Sequence, residues 1–384
     1  MNAEYIIKKG RLLDPRKGLD MVSDLAVSDG KIANIGQNST YQSDRIIDAE
    51  GCLVVPGVID IHAHIFENGV WNGMPADLAA IPLGVTAMVD AGSSGVSNYK
   101  ALLRECESNH IRSKIMLNVS ACGIIMPTQF SEPVDPKTWN VALFDEAFEK
   151  YGDRITGLKL RINRAVVKDL GLEPLKAAVR LSERYGKRVI AHVTDAPVSM
   201  TEVADCMRPG DVFCHVYHGT GNTIFDENGI IQKGIWKARE RGVIFDVASG
   251  RGNFSLAVAQ KALEQGFLPD TISSDVTLQN WHNPLAGNLV CVMSRFLALG
   301  LSLEDIISRV TAVPAKQFGV EGLGTLEVGT PADISIFKLA DKAVRFTDKF
   351  GSEVCGTQEF VPMGTMIGGE LLYRNVDLNL VPTV

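Results

Sequence analysis

The chain has 384 residues, 46% of them hydrophobic, and a formal net charge of -7, a make-up that suits a globular protein with a sizeable core. The acidic balance and the scattered Lys and Arg offer no phosphate-binding footprint, and no apolar run approaches the roughly 18 residues of a membrane span, so neither nucleic acid nor membrane is an expected partner. Seven cysteines, Cys52, Cys106, Cys122, Cys206, Cys214, Cys291 and Cys355, stand singly without a CxxC pair, which predicts reduced thiols in a cytoplasmic protein.

The opening MNAEYIIKKGRLLDP has two charged residues directly after its one short apolar run, so no leader peptide is expected there. The first fifty residues then read as short alternating strands with turns at Ser28-Asp29-Gly30 and Ala49-Glu50-Gly51. From residue 54 the pattern changes to apolar strands separated by helical stretches. Strands are predicted at 54–65, 84–92, 114–121, 155–162, 188–193, 211–218, 242–249 and 271–278, with helices such as 97–109 and 172–187 between them. Eight such units match a (β/α)₈ barrel, whose typical size is about 250 residues. A doubly wound sheet is the rival, but the place of its glycine-rich phosphate turn is taken by IDIHAHIFENG. The closing segments GTLEVGTPADISIFKL, KAVRFTDKF and TMIGGELLYRNV return to short strands. Each end is too short to build a core alone. The predicted organisation is therefore an α/β (TIM) barrel over 54–320 and one small β-sandwich built from 1–53 plus 321–384.

His62 and His64 form H-x-H near the end of the first barrel strand, where alternate residues share a face and can reach one ion. Taken alone, two strand histidines equally suit a polar surface or a satisfied core. The chain has seven histidines, however, and His192 and His215 fall near the ends of the fifth and sixth strands. Lys159, in TGLKLRIN, stands near the end of the fourth, and Asp275 near the end of the eighth. Barrel active sites are assembled at the C-terminal ends of the strands, so these six residues are expected to meet at one mouth. Imidazole and carboxylate at an open position suit Zn²⁺, Mn²⁺ or Fe.

With PGVIDIHAHI, the strand-4 lysine, the two later histidines, the aspartate of SSDVT and the closing LGTLEVGTPADISIF, the chain resembles the amidohydrolase superfamily. Within it, the chain is similar to the binuclear dihydroorotase-like branch and most of all to bacterial deacetylase-type metallohydrolases, over essentially its whole length. The resemblance implies two divalent metal ions, with zinc expected. It implies that His62 and His64 hold the more buried ion together with Asp275, that His192 and His215 hold the second, and that Lys159 bridges them as N6-carboxylysine. Burial favours a neutral lysine amine, which can add CO₂ to become a carbamate with two oxygen ligands. The two cations outweigh the carbamate, Asp275 and a bridging hydroxide by one charge, which favours a carbonyl whose oxygen turns negative. The implied mechanism is attack by that hydroxide, with Asp275 carrying its proton to the leaving nitrogen or oxygen.

Lys159 also fits a Schiff-base lysine or a snorkelling rim residue, but neither explains the histidines. His215 is preferred to His218 as the strand-6 ligand because it lies within the predicted strand, which leaves His218 as a substrate-pocket residue or a plain loop residue. Arg251, between two glycines after strand 7, and Arg161, two residues after Lys159, are candidates for binding a substrate carboxylate. Asp60 is expected to hydrogen-bond beneath His62. Asp90 and Asp246 read as caps or turn residues, His110 as surface, His282 as a loop residue, and 121–129 as a cover over the pocket. The expected function is metal-dependent hydrolysis of an amide or ester in a small carboxylate-bearing substrate, first as deacetylation of an N-acyl amino acid or O-acyl hydroxy acid. Cyclic-amide hydrolysis comes second, although Val276-Thr277 supplies little for binding a pyrimidine-like ring. A purine-type deaminase and a non-catalytic scaffold rank below these, and a homo-oligomer is expected.

Overall fold

A computed structural model describes all of the chain except residues 37–39, 127–128, 131, 284, 286, 320–321 and 383–384. The N-terminal segment forms β1 (Tyr5–Asp14), β2 (Leu19–Ser28), β3 (Lys31–Ile35), β4 (Arg45–Asp48) and β5 (Leu53–Pro56). The barrel follows with β6 (Val58–Ala63), β7 (Val85–Asp90), β8 (Arg112–Asn118), β9 (Ile155–Arg161), β10 (Arg188–His192), β11 (Val212–Cys214) and β12 (Ile244–Asp246). The chain ends in β13 (Ile334–Thr347), β14 (Glu353–Ile367), β15 (Glu370–Arg374) and β16 (Asn379–Pro382).

Strands β6 to β12 pair in parallel, each with its neighbour in sequence. The stretch around 271–276 closes the barrel, bridging Asp246 to Thr271 and Ala63 to Val276. The eighth strand predicted at 271–278 is thus two isolated bridges and not a regular ladder, because Asp275 has a left-handed backbone (φ 55°) that interrupts the extended chain. The same cause shortens two other strands. His215 (φ 67°) ends β11 and Ala248 (φ 39°) lies just beyond β12, where the sequence predicts continuous strands over 211–218 and 242–249.

The helices lie close to prediction. The one at Tyr99–Ser108 buries Tyr99, Leu102, Leu103 and Cys106, spaced three and four apart so that one stripe faces the barrel. That at Glu173–Glu183 has proline in its first turn and buries Leu175, Ala178 and Val179. None of the described helices is long and apolar enough to cross a membrane.

The predicted first barrel strand, 54–65, divides at Gly57. Residues 53–56 pair with β1 and β13, and 58–63 with β7. A β-carbon at Gly57 would lie 2.2 Å from the Thr86 side chain, so only glycine passes this closely from one sheet to the other. The expected domain limit at 53/54 falls inside β5, and the limit at 320/321 lies outside the described residues. Strands from both termini share a mostly antiparallel sheet in the order β15-β14-β13-β5-β1-β2-β3, with β4 pairing β1 and β16. Ile7, Leu12, Val27, Ile47, Val54, Ile334, Ile336 and Met366 form its core. The outer half of the β13–β14 hairpin leaves this core for the barrel, where Phe360 N donates to Ser294 Oγ at 3.0 Å.

Candidate metal centre and active site

Inside the barrel, Ile59, Ile61, Val89, Met116, Ile190 and Val212 form an apolar floor. The pairing of β6 with β7 is irregular between Asp60 and Ala63. That irregularity lets His62 follow Ile61 on the inner side, and a bulge of this kind re-aims side chains at strand ends. His62 Nε2 is 3.6 Å from Asp275 Oδ1, and His64 Nε2 is 3.3 Å from the same oxygen. The donor atoms of His62, His64 and Asp275 all lie within 4.8 Å of one another. Lys159 Nζ stands 3.2 Å from His62 Nε2. Gly92 (φ 84°) makes room for this lysine, since a β-carbon there would lie 2.5 Å from its Cβ and Cγ.

His192 and His215 meet edge to face, with ring centroids 4.3 Å apart and planes at 72°. His215 Nδ1 donates to the Ala248 carbonyl at 2.7 Å, which fixes the tautomer and leaves the lone pair of the fully buried Nε2 without a partner among the described residues. A buried nitrogen of this kind is costly unless something binds it. Burial, the largest influence, holds His62, His192 and His215 well below the ordinary histidine range, with Lys159 adding to the effect, so all three are neutral donors near pH 7. Burial pushes the Asp275 carboxyl up, but the His64 hydrogen bond and the nearby histidines more than reverse this and hold it below the usual range. Nitrogen lone pairs, a carboxylate and an adjacent lysine amine therefore fit divalent cations by donor type and protonation state.

The surrounding residues orient this cluster. Asp60 Oδ1 accepts the His62 amide at 3.2 Å and the Ser274 amide at 3.1 Å, so it ties β6 to the closing stretch 271–276 below the histidines. Its isolation from water pushes its carboxyl up to about 7. Asp246, read from the sequence as a cap or turn residue, has another place. It is fully buried, accepts from Thr271 Oγ1 and Ser273 Oγ at 2.7 Å each, and lies 3.6 Å from His62 Nδ1. At that distance the carboxylate makes no direct hydrogen bond to the ring, but its charge favours a proton on Nδ1 and leaves Nε2 free for an ion. Asp90 is a turn residue as read, accepting the amides of Ser93 and Ile65.

A cavity of about 340 Å³ opens over the cluster, lined by His62, His64, Lys159, Arg161, His192 and Asp275 together with Ile124, Asn163, Thr194, Asp195, Thr220, Gly252, Asn253 and Lys349. His215 lies just beneath. Of the three expected substrate-binding residues, Arg161 lines the cavity, 3.0 Å from Glu132 Oε1. Arg251 is exposed and outside the lining, because the turn brings Gly252 and Asn253 inward in its place. Asn253 Nδ2 donates to Asp275 Oδ2 at 3.2 Å. His218 is fully buried and also outside the lining. His215, expected within a strand, is instead the first residue past β11. His110 is exposed beside Asp77, and His282 packs on Trp281. Of the proposed cover at 121–129, Ile124 reaches the cavity, and 127–128 lie outside the described residues.

Cys214, Asn253 and Lys349 join the site without any signal in the sequence pattern. Cys214 Sγ lies 3.4 Å from His62 Nδ1 and forms a second donor group with His62 and His215. Two successive residues can face the same centre only because His215 is left-handed, so no alternation pattern could reveal it.

Residues 53–372 match the amidohydrolase family. A deacetylase of Enterococcus faecalis is 29% identical over 377 residues, covering 97% of this chain and 99% of the relative. An adenine deaminase crystal structure superposes with a TM-score of 0.89 at 28% identity, over 97% of this chain and all of that one. A dihydroorotase structure gives 0.86 at 26%, over the full length of both.

Proposed function

The chain belongs to the amidohydrolase family and is a hydrolase, and on that premise we propose that it removes the acyl group from a small carboxylate-bearing N-acyl amino acid or O-acyl hydroxy acid. The observation that carries the reading is the convergence of Lys159, His62, His64, Asp275 and the unpartnered His215 Nε2 below one cavity. In this reading His62, His64 and Asp275 would hold one ion, His192 and His215 would hold another, and Lys159, once carboxylated, would supply oxygen ligands to the centre. Such ions would supply Lewis acidity toward a carbonyl oxygen and acidify water for attack.

The chain's own residues do the rest. The Asp275 carboxylate is kept ionised by its histidine neighbours and steadied by Asn253, so it can take a proton from attacking water and return it to the leaving atom. Arg161 lines the wall, where Glu132 holds its guanidinium, and adds positive charge to a pocket that would admit a substrate carboxylate. The apolar floor and Ile124 keep bulk water from the buried side of the centre. Zinc, a cytoplasmic location and a homo-oligomeric assembly belong to the same reading.

The similarity to a dihydroorotase supports cyclic-amide hydrolysis as the second reading. Deamination stands lower despite the adenine deaminase neighbour, because a lysine directly beside the histidine cluster suits a bridged pair of ions. A screen of N-acetyl-D- and L-amino acids, O-acetyl hydroxy acids, hydantoins, dihydroorotate and adenine with metal-loaded protein separates the three. Acetate release from the first two groups is expected. Turnover confined to a ring substrate or to adenine would overturn the deacylase assignment.

A further inference from the structure

The cavity has a wall that comes from outside the barrel. The β13–β14 hairpin turns at 348–352, and Asp348 pins that turn to the barrel. Its Oδ2 accepts the Leu256 amide at 2.7 Å, at the start of the helix Leu256–Glu264, and its Oδ1 accepts the Phe350 and Ser352 amides at 2.9 Å each. Phe350 packs over Gly219, where a β-carbon would lie 2.8 Å from the ring. Between these anchors Lys349 reaches the cavity. Its ammonium donates to Thr220 Oγ1 at 3.1 Å, and a β-carbon on Gly252 would lie 3.6 Å from it, so it stands between the loops that follow β11 and β12.

The cations of the lining are not equivalent. Lys159 belongs to the donor cluster, and Arg161 is paired with Glu132. Lys349 has no carboxylate within 4.0 Å among the described residues, and the groups that hold its ammonium are neutral, the Thr220 hydroxyl and the face of the Phe350 ring, 4.9 Å from its centroid. An ammonium held at a cavity rim by a neutral oxygen keeps its charge available to an incoming anion, and partial removal from water strengthens that attraction. We propose that Lys349 is a specificity-determining residue, one that receives the substrate carboxylate at the mouth and so makes the sandwich domain part of the substrate site. The proposal rests on the carboxylate-substrate reading above. It also gives the hairpin's length a role, since a shorter β13–β14 pair would not carry residue 349 from the sandwich to the barrel rim.

The test uses full-length, metal-loaded protein and two matched probes, N-acetylalanine and its neutral carboxamide. The wild type is expected to prefer the acid in kcat/KM. Lys349→Met is expected to cut that preference about tenfold, chiefly through KM for the acid. Lys349→Arg should keep most of it, and Thr220→Val should lose a smaller part. A wild-type preference that survives intact in Lys349→Met overturns the role of Lys349 and leaves the proposed function standing. A wild type indifferent to the carboxylate overturns the carboxylate reading, and Lys349 with it. Should neither probe be hydrolysed, the acyl-hydrolase reading is set back, and calorimetric titration of the acid decides Lys349 by itself. Binding weakened about tenfold in Lys349→Met supports the role, and equal or absent binding overturns it.

Discussion

The barrel is hollowed at both ends, and the two cavities treat their polar groups differently. At the N-terminal ends of the strands lies a space of about 650 Å³, nearly twice the 340 Å³ over the histidines, lined by Lys114, Lys187, Arg188, Arg208 and Asp211. Its charges are largely spent on the fold. Arg208 donates to Asp211 Oδ1 at 3.0 Å and to Ser182 Oγ at 2.6 Å, and Asp211 in turn accepts the Val189 amide at 2.8 Å. Lys187 donates to the Gly152 carbonyl, and Lys114 to that of Gly319. Arg188 Nη1 and Gln317 Oε1 have no hydrogen-bond partner among the described residues, but every non-glycine residue of that lining has an ordinary backbone. At the upper end His215, Asp275 and Asp195 are all left-handed, and a buried imidazole nitrogen points into a donor cluster. Strain costs about 1–3 kcal/mol per residue and persists where surrounding structure enforces it, so its concentration marks the chemical end better than volume does.

The comparison can be broken from either side. The largest effect belongs to Lys159→Ala, which should lose most bound metal and on the order of a thousandfold in turnover, with partial rescue by short carboxylic acids. Metal analysis and kinetics on one preparation check it, and full metal content with full turnover would remove the lysine from the centre. At the lower end, Arg208→Met strands the buried Asp211 carboxylate and should lower stability by about 3 kcal/mol in denaturant unfolding. Its kcat/KM per folded molecule should stay within about twofold, and a larger loss would erase the contrast between the ends.

His218 gives a pH test beside the upper site. Burial lowers its pKa to about 4, below the roughly 6.5 of an unfolded chain. A depressed histidine contributes stability that is present above the unfolded value and is lost as pH falls through the folded one. Between about pH 6.5 and 4 the wild type should therefore lose up to about 3 kcal/mol more than His218→Gln, from about 1.36 kcal/mol per pKa unit. Parallel unfolding curves across that window would contradict its burial. The smallest effect is expected at Arg251→Met. With the side chain exposed and outside the lining, KM for carboxylate substrates should stay within about twofold, and a tenfold rise would return Arg251 to the mouth.

Much of this molecule was legible in the order of its residues. Strand periodicity and spacing fix eight barrel staves, and a polar residue near a stave's end has only one mouth to face. For that reason the sequence alone brings Lys159, His62, His64, His192, His215 and Asp275 to one mouth, and five of them line the cavity while His215 lies just beneath it. The sandwich was legible too, because two short β segments at opposite ends cannot each bury a core. Periodicity fails where the backbone leaves the regular strand. The irregularity near Asp60 and the left-handed His215 and Asp275 change which neighbours share a face, so Cys214 and the carboxylate of Asp246 beside His62 emerge only in three dimensions. Long-range placement was equally hidden. Arg251 looked poised between two glycines, but its turn directs Asn253 inward, while Lys349 reaches the mouth across almost two hundred residues of sequence from Lys159. Local pattern determines which elements form and which way a regular strand faces, and it carries no information on which distant loop fills the space above them. That was decided by the packing of the β13–β14 hairpin against the barrel.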